Sequence, residues 1–243
     1  MADRESEITV ESKLEKKASL RSKITLSLAA FIMSMTITII NAYSSLRGSD
    51  IVVVPPKQVI LYRDGNGINS VLSFATRFDM INASADHGDV LLEASLRVGT
   101  KGPVFAHSAA VKPVFTGRSK EAAGNCALDM RCIALTGLLI VEQPDAMIDL
   151  GGGAARTISL AFPAAAWNCK GTAEQCARYG SFEKAITAIG AQPLDLNFII
   201  NFNSDGHRRI ICRGKTPNAD YLGKFGWISL ACDQRSISGG PLI

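Results

Sequence analysis

The stretch Ile24–Tyr43, ITLSLAAFIMSMTITIINAY, carries no charged side chain, and Arg21 and Lys23 stand just before it. Roughly 20 apolar residues in a helix cover the ~30 Å hydrocarbon core of a bilayer. The stretch therefore predicts a single N-terminal transmembrane helix, and it divides the chain. A charged tail over 1–23 precedes it, a linker over 44–57 follows, and a globular part occupies 58–243, with a possible division into two subdomains near 117–130.

Flanking charge sets the direction. Lys13, Lys16, Lys17, Arg21 and Lys23 precede the stretch, whereas only Arg47 follows closely. Positive residues stay on the cytoplasmic side. The expected arrangement is a cytoplasmic N-terminus, an inner or plasma membrane, and a C-terminal part exported to a periplasm or extracellular space. Ala42-Tyr43-Ser44 would serve as a signal-peptide cleavage site, but the apolar run exceeds the 7–15 residues of a signal-peptide core, which favours a retained anchor. Ser27, Ser34 and Thr38 interrupt the run. Small hydroxyl residues are common where one membrane helix packs on another. Hydroxyls also bond back to their own helical turn, so a plain anchor accommodates them equally.

The six cysteines, Cys126, Cys132, Cys169, Cys176, Cys212 and Cys232, all follow the apolar stretch. An even count confined to the exported part reads as disulfides in an oxidising compartment. Zinc is the alternative, but no C-x2-C knuckle is present. Pairing of sequence neighbours is expected: Cys126–Cys132, Cys169–Cys176 and Cys212–Cys232. The formal charge of +4 is mild, and the globular part is near balance, which gives no case for nucleic acid.

Alternation of period two marks half-buried strands. It is present over Val71–Asn82, Val90–Val98, Arg156–Phe162 and Leu194–Phe202. Gln58–Arg63 reads as a strand from its β-branched content and the turn sequence Asp64-Gly65-Asn66-Gly67 after it, Val111–Phe115 is a weaker strand, His207–Arg213 forms a hairpin with Leu194–Phe202, and Lys224–Cys232 is the last strand. In Val90–Val98 the inward set would be Val90, Leu92, Ala94, Leu96 and Val98. Ile133–Val141 is continuously apolar and reads as one central strand. Pro55-Pro56 excludes a helix or central strand at that point. Ser181 would cap a short helix lined by Phe182, Ala185, Ile186 and Ile189 and ended by Gly190. The expected fold is mainly β: an antiparallel β-sandwich with a short helix insertion and disulfides. Its first three strands resemble those of an immunoglobulin-like fold, a likeness that carries no function.

Candidate chemistry is sparse. Ser238-Gly239-Gly240-Pro241-Leu242 resembles the G-D-S-G-G-P segment of trypsin-like serine proteases, which would make Ser238 a nucleophile. Ile237 and Ser236 depart from that pattern, and His87, His107 and His207 lack the family's A-A-H-C setting. A triad is defined by its partners as much as by its serine. Gly151-Gly152-Gly153 would cradle a phosphate only if a helix followed, and a strand is expected there. Asp86-His87-Gly88-Asp89 lacks a defined metal-ligand spacing, and Asp64–Asn69 fails the calcium-loop pattern. Asn82-Ala83-Ser84 is a glycosylation sequon. His207, Arg208, Arg209 and Arg213 make a basic strand suited to an acidic partner or simply to solvent.

No catalytic residue, metal ligand or cofactor is assigned. The leading expectation is a non-enzymatic accessory or assembly subunit. It would meet lipid through 24–43 and bind a partner of a membrane complex through its exported domain, with Ser27, Ser34, Thr38, Arg208, Arg209 and Arg213 as candidate contacts. A membrane-tethered exported hydrolase and an exported sensor or ligand-binding module are the alternatives.

Overall fold

The computed structural model describes residues 27–28, 31–39, 48–99, 101–107, 114–118, 131–135, 137–143 and 147–233. Two compact units result, Met1–Gly48 and Ser49–Ile243.

In the first unit, residues 31–39 are helical with exposed side chains. Thr36 donates its hydroxyl to the Ile32 carbonyl and Thr38 donates to that of Ser34, both at 2.8 Å. These hydroxyls are thus satisfied within their own helix, as hydroxyl residues in apolar helices require. Residues 24–26, 29–30 and 40–43 of the predicted span lie outside the described residues. Among the described residues no helix is long and apolar enough to cross a membrane.

The second unit is mainly antiparallel β. Its first sheet contains β1 (Ile51–Val54), β2 (Gln58–Asp64), β3 (Val71–Asn82), β10 (Ala155–Pro163) and β14 (Trp227–Ala231). The second contains β4 (Asp89–Val98), β5 (Val104–His107), β9 (Ile148–Leu150), β11 (Cys169–Lys170), β12 (Leu194–Phe202) and β13 (His207–Gly214). A third small sheet is formed by β6 (Val114–Gly117), β7 (Arg131–Leu135) and β8 (Leu138–Glu142). Among the described residues of this unit are three short α-helices, α1 (Ala173–Ala177), α2 (Phe182–Ile189) and α3 (Ala219–Phe225).

The main core lies between the first two sheets. Leu72, Phe74, Phe78 and Met80 of β3 meet Leu196, Phe198 and Ile200 of β12 there. Phe198 sits at the centre, its ring 5.3 Å from Phe78 and 5.4 Å from Phe162. A second cluster joins Tyr62, Ala75 and Ala161 on the opposite face of the first sheet to Val114 and Ile140 of the third. Ser73 and Ala75 are therefore buried although they face away from the main core, while Arg77 and Asp79, farther along β3, are exposed.

Four sequence expectations are corrected. β1 lies in the segment read as linker. Both β1 and β2 pair with the same side of β3, through Ile51↔Asn82 and Val59↔Thr76, and Pro55-Pro56 supplies the break between them. Proline lacks a donor for the ladder, so the interruption falls there. Ile133–Val141 is a hairpin of β7 and β8, turned at Gly137 with φ of 78°. Lys224 and Phe225 end helix α3 and do not begin a strand. Asn218 accepts from the Tyr221 amide at 2.9 Å, and Gly226 closes the helix at φ 77°, the left-handed conformation that favours glycine. In β4 a register shift opposite Asn201 and Phe202 leaves Leu92 as an extra residue. Such a bulge reverses the alternation, so Leu91 joins Ala94, Leu96 and Val98 in the core in place of Val90 and Leu92. The expected Cys212–Cys232 disulfide is present. Cys212 is on β13 of the second sheet and Cys232 follows β14 of the first, so their disulfide ties the two sheets together.

Cys169–Cys176 is also present, with Cα atoms 5.7 Å apart. Cys132 is disulfide-bonded; its expected partner Cys126 lies outside the described residues.

Candidate functional site

A cleft of about 980 Å³ opens where three chain-distant segments meet: the β4–β5 connection, the α1–α2 insertion, and the start of β12. Its apolar floor includes Val98, Tyr179, Ile189 and Leu194, all buried below 9% exposure. Tyr179 is set edge-on against Phe105 at 5.3 Å. Burial raises the Tyr179 phenol above its ordinary pKa, against the opposing charge of Arg178, so the ring is neutral at physiological pH.

The wall formed by α1 is fixed by local chemistry. Thr172 and Gln175 form a reciprocal capping box: the Gln175 amide donates to the Thr172 hydroxyl and the Thr172 amide to Gln175 Oε1. Such a box satisfies two orphan donors of a helix start. Gln175 Nε2 also donates to the Lys101 carbonyl at 3.2 Å, which ties α1 to the β4–β5 connection. The Cys169–Cys176 bridge holds α1 to β11. Gly102 closes the β4–β5 connection, and a Cβ there would overlap the Val98 carbonyl oxygen. Replacing Cys169 and Cys176 together by serine is expected to lower the unfolding free energy by about 2 kcal/mol. Hydrogen exchange of α1 amides would show the local loosening.

Charge on the cleft walls is unevenly matched. Glu174 pairs with Arg178 at 2.8 Å, Glu183 with Arg63 at 3.8 Å, and Asp195 with Arg213 at 3.7 Å. Lys101 and Lys184 line the same cleft, and neither has a carboxylate partner among the described residues.

The basic strand is less free than its sequence implies. Arg208 forms an ion pair with Asp205 and donates through Nε to the Ile51 carbonyl at 2.9 Å. Arg213 faces Asp195, and Arg209 donates to Asn197 Oδ1 at 3.2 Å. Arg208 is therefore a structural residue that pins β1 to the β12–β13 hairpin. Ser27, Ser34 and Thr38 belong to the other unit, where Ser34 and Thr38 lie in the helical residues 31–39.

Asp89, named in the sequence only as the end of Asp86-His87-Gly88-Asp89, is 3% exposed and organises a junction. It accepts from the Ser49 hydroxyl, from the amides of Val90 and Asp205, and from the amide and hydroxyl of Ser204. Burial alone would raise its pKa, but these donors outweigh burial and hold it below the ordinary value of 3.8. Neighbouring Asn82 is 1% exposed and donates to the His87 and Leu150 carbonyls at 2.7 and 3.0 Å. Its amide is thus engaged in the fold, which leaves the Asn82 sequon no free acceptor nitrogen. The triple glycine is a turn into β10: a Cβ on Gly152 would overlap the Ala85 carbonyl oxygen. Gly152→Ala is expected to cost about 1–3 kcal/mol in chemical denaturation.

Ser238 lies outside the described residues, and of His107 only the backbone is described. Half-buried His87 and exposed His207 make no side-chain hydrogen bond to a nucleophile among the described residues. No cluster of three metal-ligating residues occurs among them either. Comparison with family models, with characterised proteins and with solved structures finds no match. The cleft went unseen in the sequence because its walls come from segments up to about a hundred residues apart; only the neighbouring cysteines hinted at a fixed α1.

Proposed function

We propose that this chain is a membrane-tethered, exported accessory subunit whose β domain binds a partner protein of a membrane complex. The tether is the uncharged stretch 24–43, oriented by the lysines and arginines before it. Disulfides at Cys169–Cys176 and Cys212–Cys232 accord with an oxidising compartment. The two facing sheets serve as a sandwich scaffold of immunoglobulin-like character, and the α1–α2 insertion supplies a binding face.

The observation that carries the reading is the cleft. Its rim is held by a disulfide and a capping box, its floor is apolar, and its volume is near 980 Å³. Binding sites combine such an apolar lining with a few placed polar groups, and a rim fixed before binding reduces the entropy lost on association.

The test is isolation of the full chain from its native membrane in mild detergent. A stoichiometric partner is expected to co-purify and to be lost on washing in high salt. Recovery of a strictly solitary chain under several mild detergents would contradict the reading.

A further inference from the structure

Resting on the partner-binding reading, we infer that the cleft between α1, α2 and the β4–β5 connection receives an extended, acidic segment of the partner protein. The charge pattern supports this choice. Each carboxylate on the walls already has an arginine: Glu174 with Arg178, Glu183 with Arg63, and Asp195 with Arg213. The ammonium groups of Lys101 and Lys184, on the β4–β5 and α2 walls, have no anion among the described residues. A ligand carrying carboxylates completes that set, and complementary potentials at an interface select partners and speed encounter.

Shape favours a chain segment over a small molecule. The volume stands at the upper limit of ordinary small-ligand sites, which enclose most of their ligand, whereas this cleft is only partly enclosed. An extended peptide sends alternate side chains to opposite sides. One set would lie on Val98, Tyr179 and Ile189, and carboxylates on the other would reach Lys101 and Lys184. The carboxylates already paired on the walls disfavour a basic segment, because it would compete with Arg63, Arg178 and Arg213 for anions already held.

A photo-crosslinking amino acid, benzoylphenylalanine, placed at Thr187 in the full-length chain in its native membrane tests this directly. Mass spectrometry of the crosslinked product is expected to return one partner segment with an excess of Asp and Glu. Lys101→Glu with Lys184→Glu is expected to reduce the crosslink yield about tenfold, while Lys101→Arg with Lys184→Arg retains it. Crosslinks only to neutral or basic segments, only to lipid or small molecules, or none at all, would overturn the inference, as would equal yields in the charge-reversed variant. If the charge-reversed chain still co-purifies with its partner at wild-type stoichiometry, partner binding stands and the acidic-segment assignment fails.

Discussion

Phe198→Ala is expected to lower the unfolding free energy by about 3–5 kcal/mol. The ring is fully buried and meets Phe78 at 79° and Phe162 at 55° between the two main sheets. Truncation removes the transfer free energy of the ring and both aromatic contacts. It also leaves a cavity that two β-sheets cannot collapse around without losing ladder hydrogen bonds. Equilibrium denaturation by urea, with tryptophan fluorescence and circular dichroism followed together, measures the change. Phe115→Ala makes the control, since Phe115 is 43% exposed and an exposed ring contributes little to burial. A loss near 1 kcal/mol at Phe198 would mean that the facing sheets do not share the core described.

Asp89→Ala is expected to cost about 3 kcal/mol, because it orphans donors from Ser49, Val90, Ser204 and Asp205 in a buried position. The consequence is mechanical as well as energetic. Asp89 holds Ser49 and the β12–β13 turn, while Asp205 accepts from the Ile51 amide at 2.7 Å. Without the carboxylate, Ser49 loses its link to the hairpin, and the segment is left held by Ile51 through Asp205 and Arg208. The same hydrogen bonds fix the pH dependence. A folded-state pKa held below 3.8 gives a contribution that is fully present above that value and is lost as pH falls through the folded pKa. The wild type and Asp89→Ala should therefore differ by a constant amount near neutrality, and the gap should shrink in the acid range below about 4. Denaturation midpoints measured from pH 7 to pH 3 would show it. A gap that widened on acidification would contradict the hydrogen-bonded, ionised carboxylate.

The strands legible in the sequence were those with one wet face or a long run. β12 alternates Leu194, Leu196, Phe198 and Ile200 with Asp195, Asn197 and Asn201, and its face assignment survives intact. Period two identifies such strands because one side chain in two must be dry. Where both faces are covered the signal fails: β7 and β8 merged into a single apolar run, since Ile133, Leu138 and Ile140 pack beneath the first sheet. β1 was hidden by Pro55-Pro56, which stop a ladder without preventing two short strands from sharing one partner. α3 was hidden by its brevity, although Asn218 and Gly226 carried the cap signals.

The site was less legible than the fold. Two disulfides followed the nearest-neighbour rule, because short loops bring sulfurs together cheaply. The cleft depends on tertiary meeting of Lys101, Gln175, Lys184 and Asp195, which no local pattern encodes. The basic strand was legible as charge, but its neutralisation by Asp195 and Asp205 was not. Asp89 illustrates the same limit: in sequence it ends a weak metal motif, and in the fold it is the acceptor that fastens three segments.

Export of the β domain is tested most directly by thiol accessibility. Cells carrying the full chain would be reduced mildly and exposed to a membrane-impermeant maleimide, with the half-buried Cys169 and Cys176 read by mass spectrometry. Both are expected to label in intact cells, and only after reduction. Labelling that requires permeabilisation, on sulfurs already free before reduction, would place the domain in the cytosol and contradict the tethered, exported arrangement.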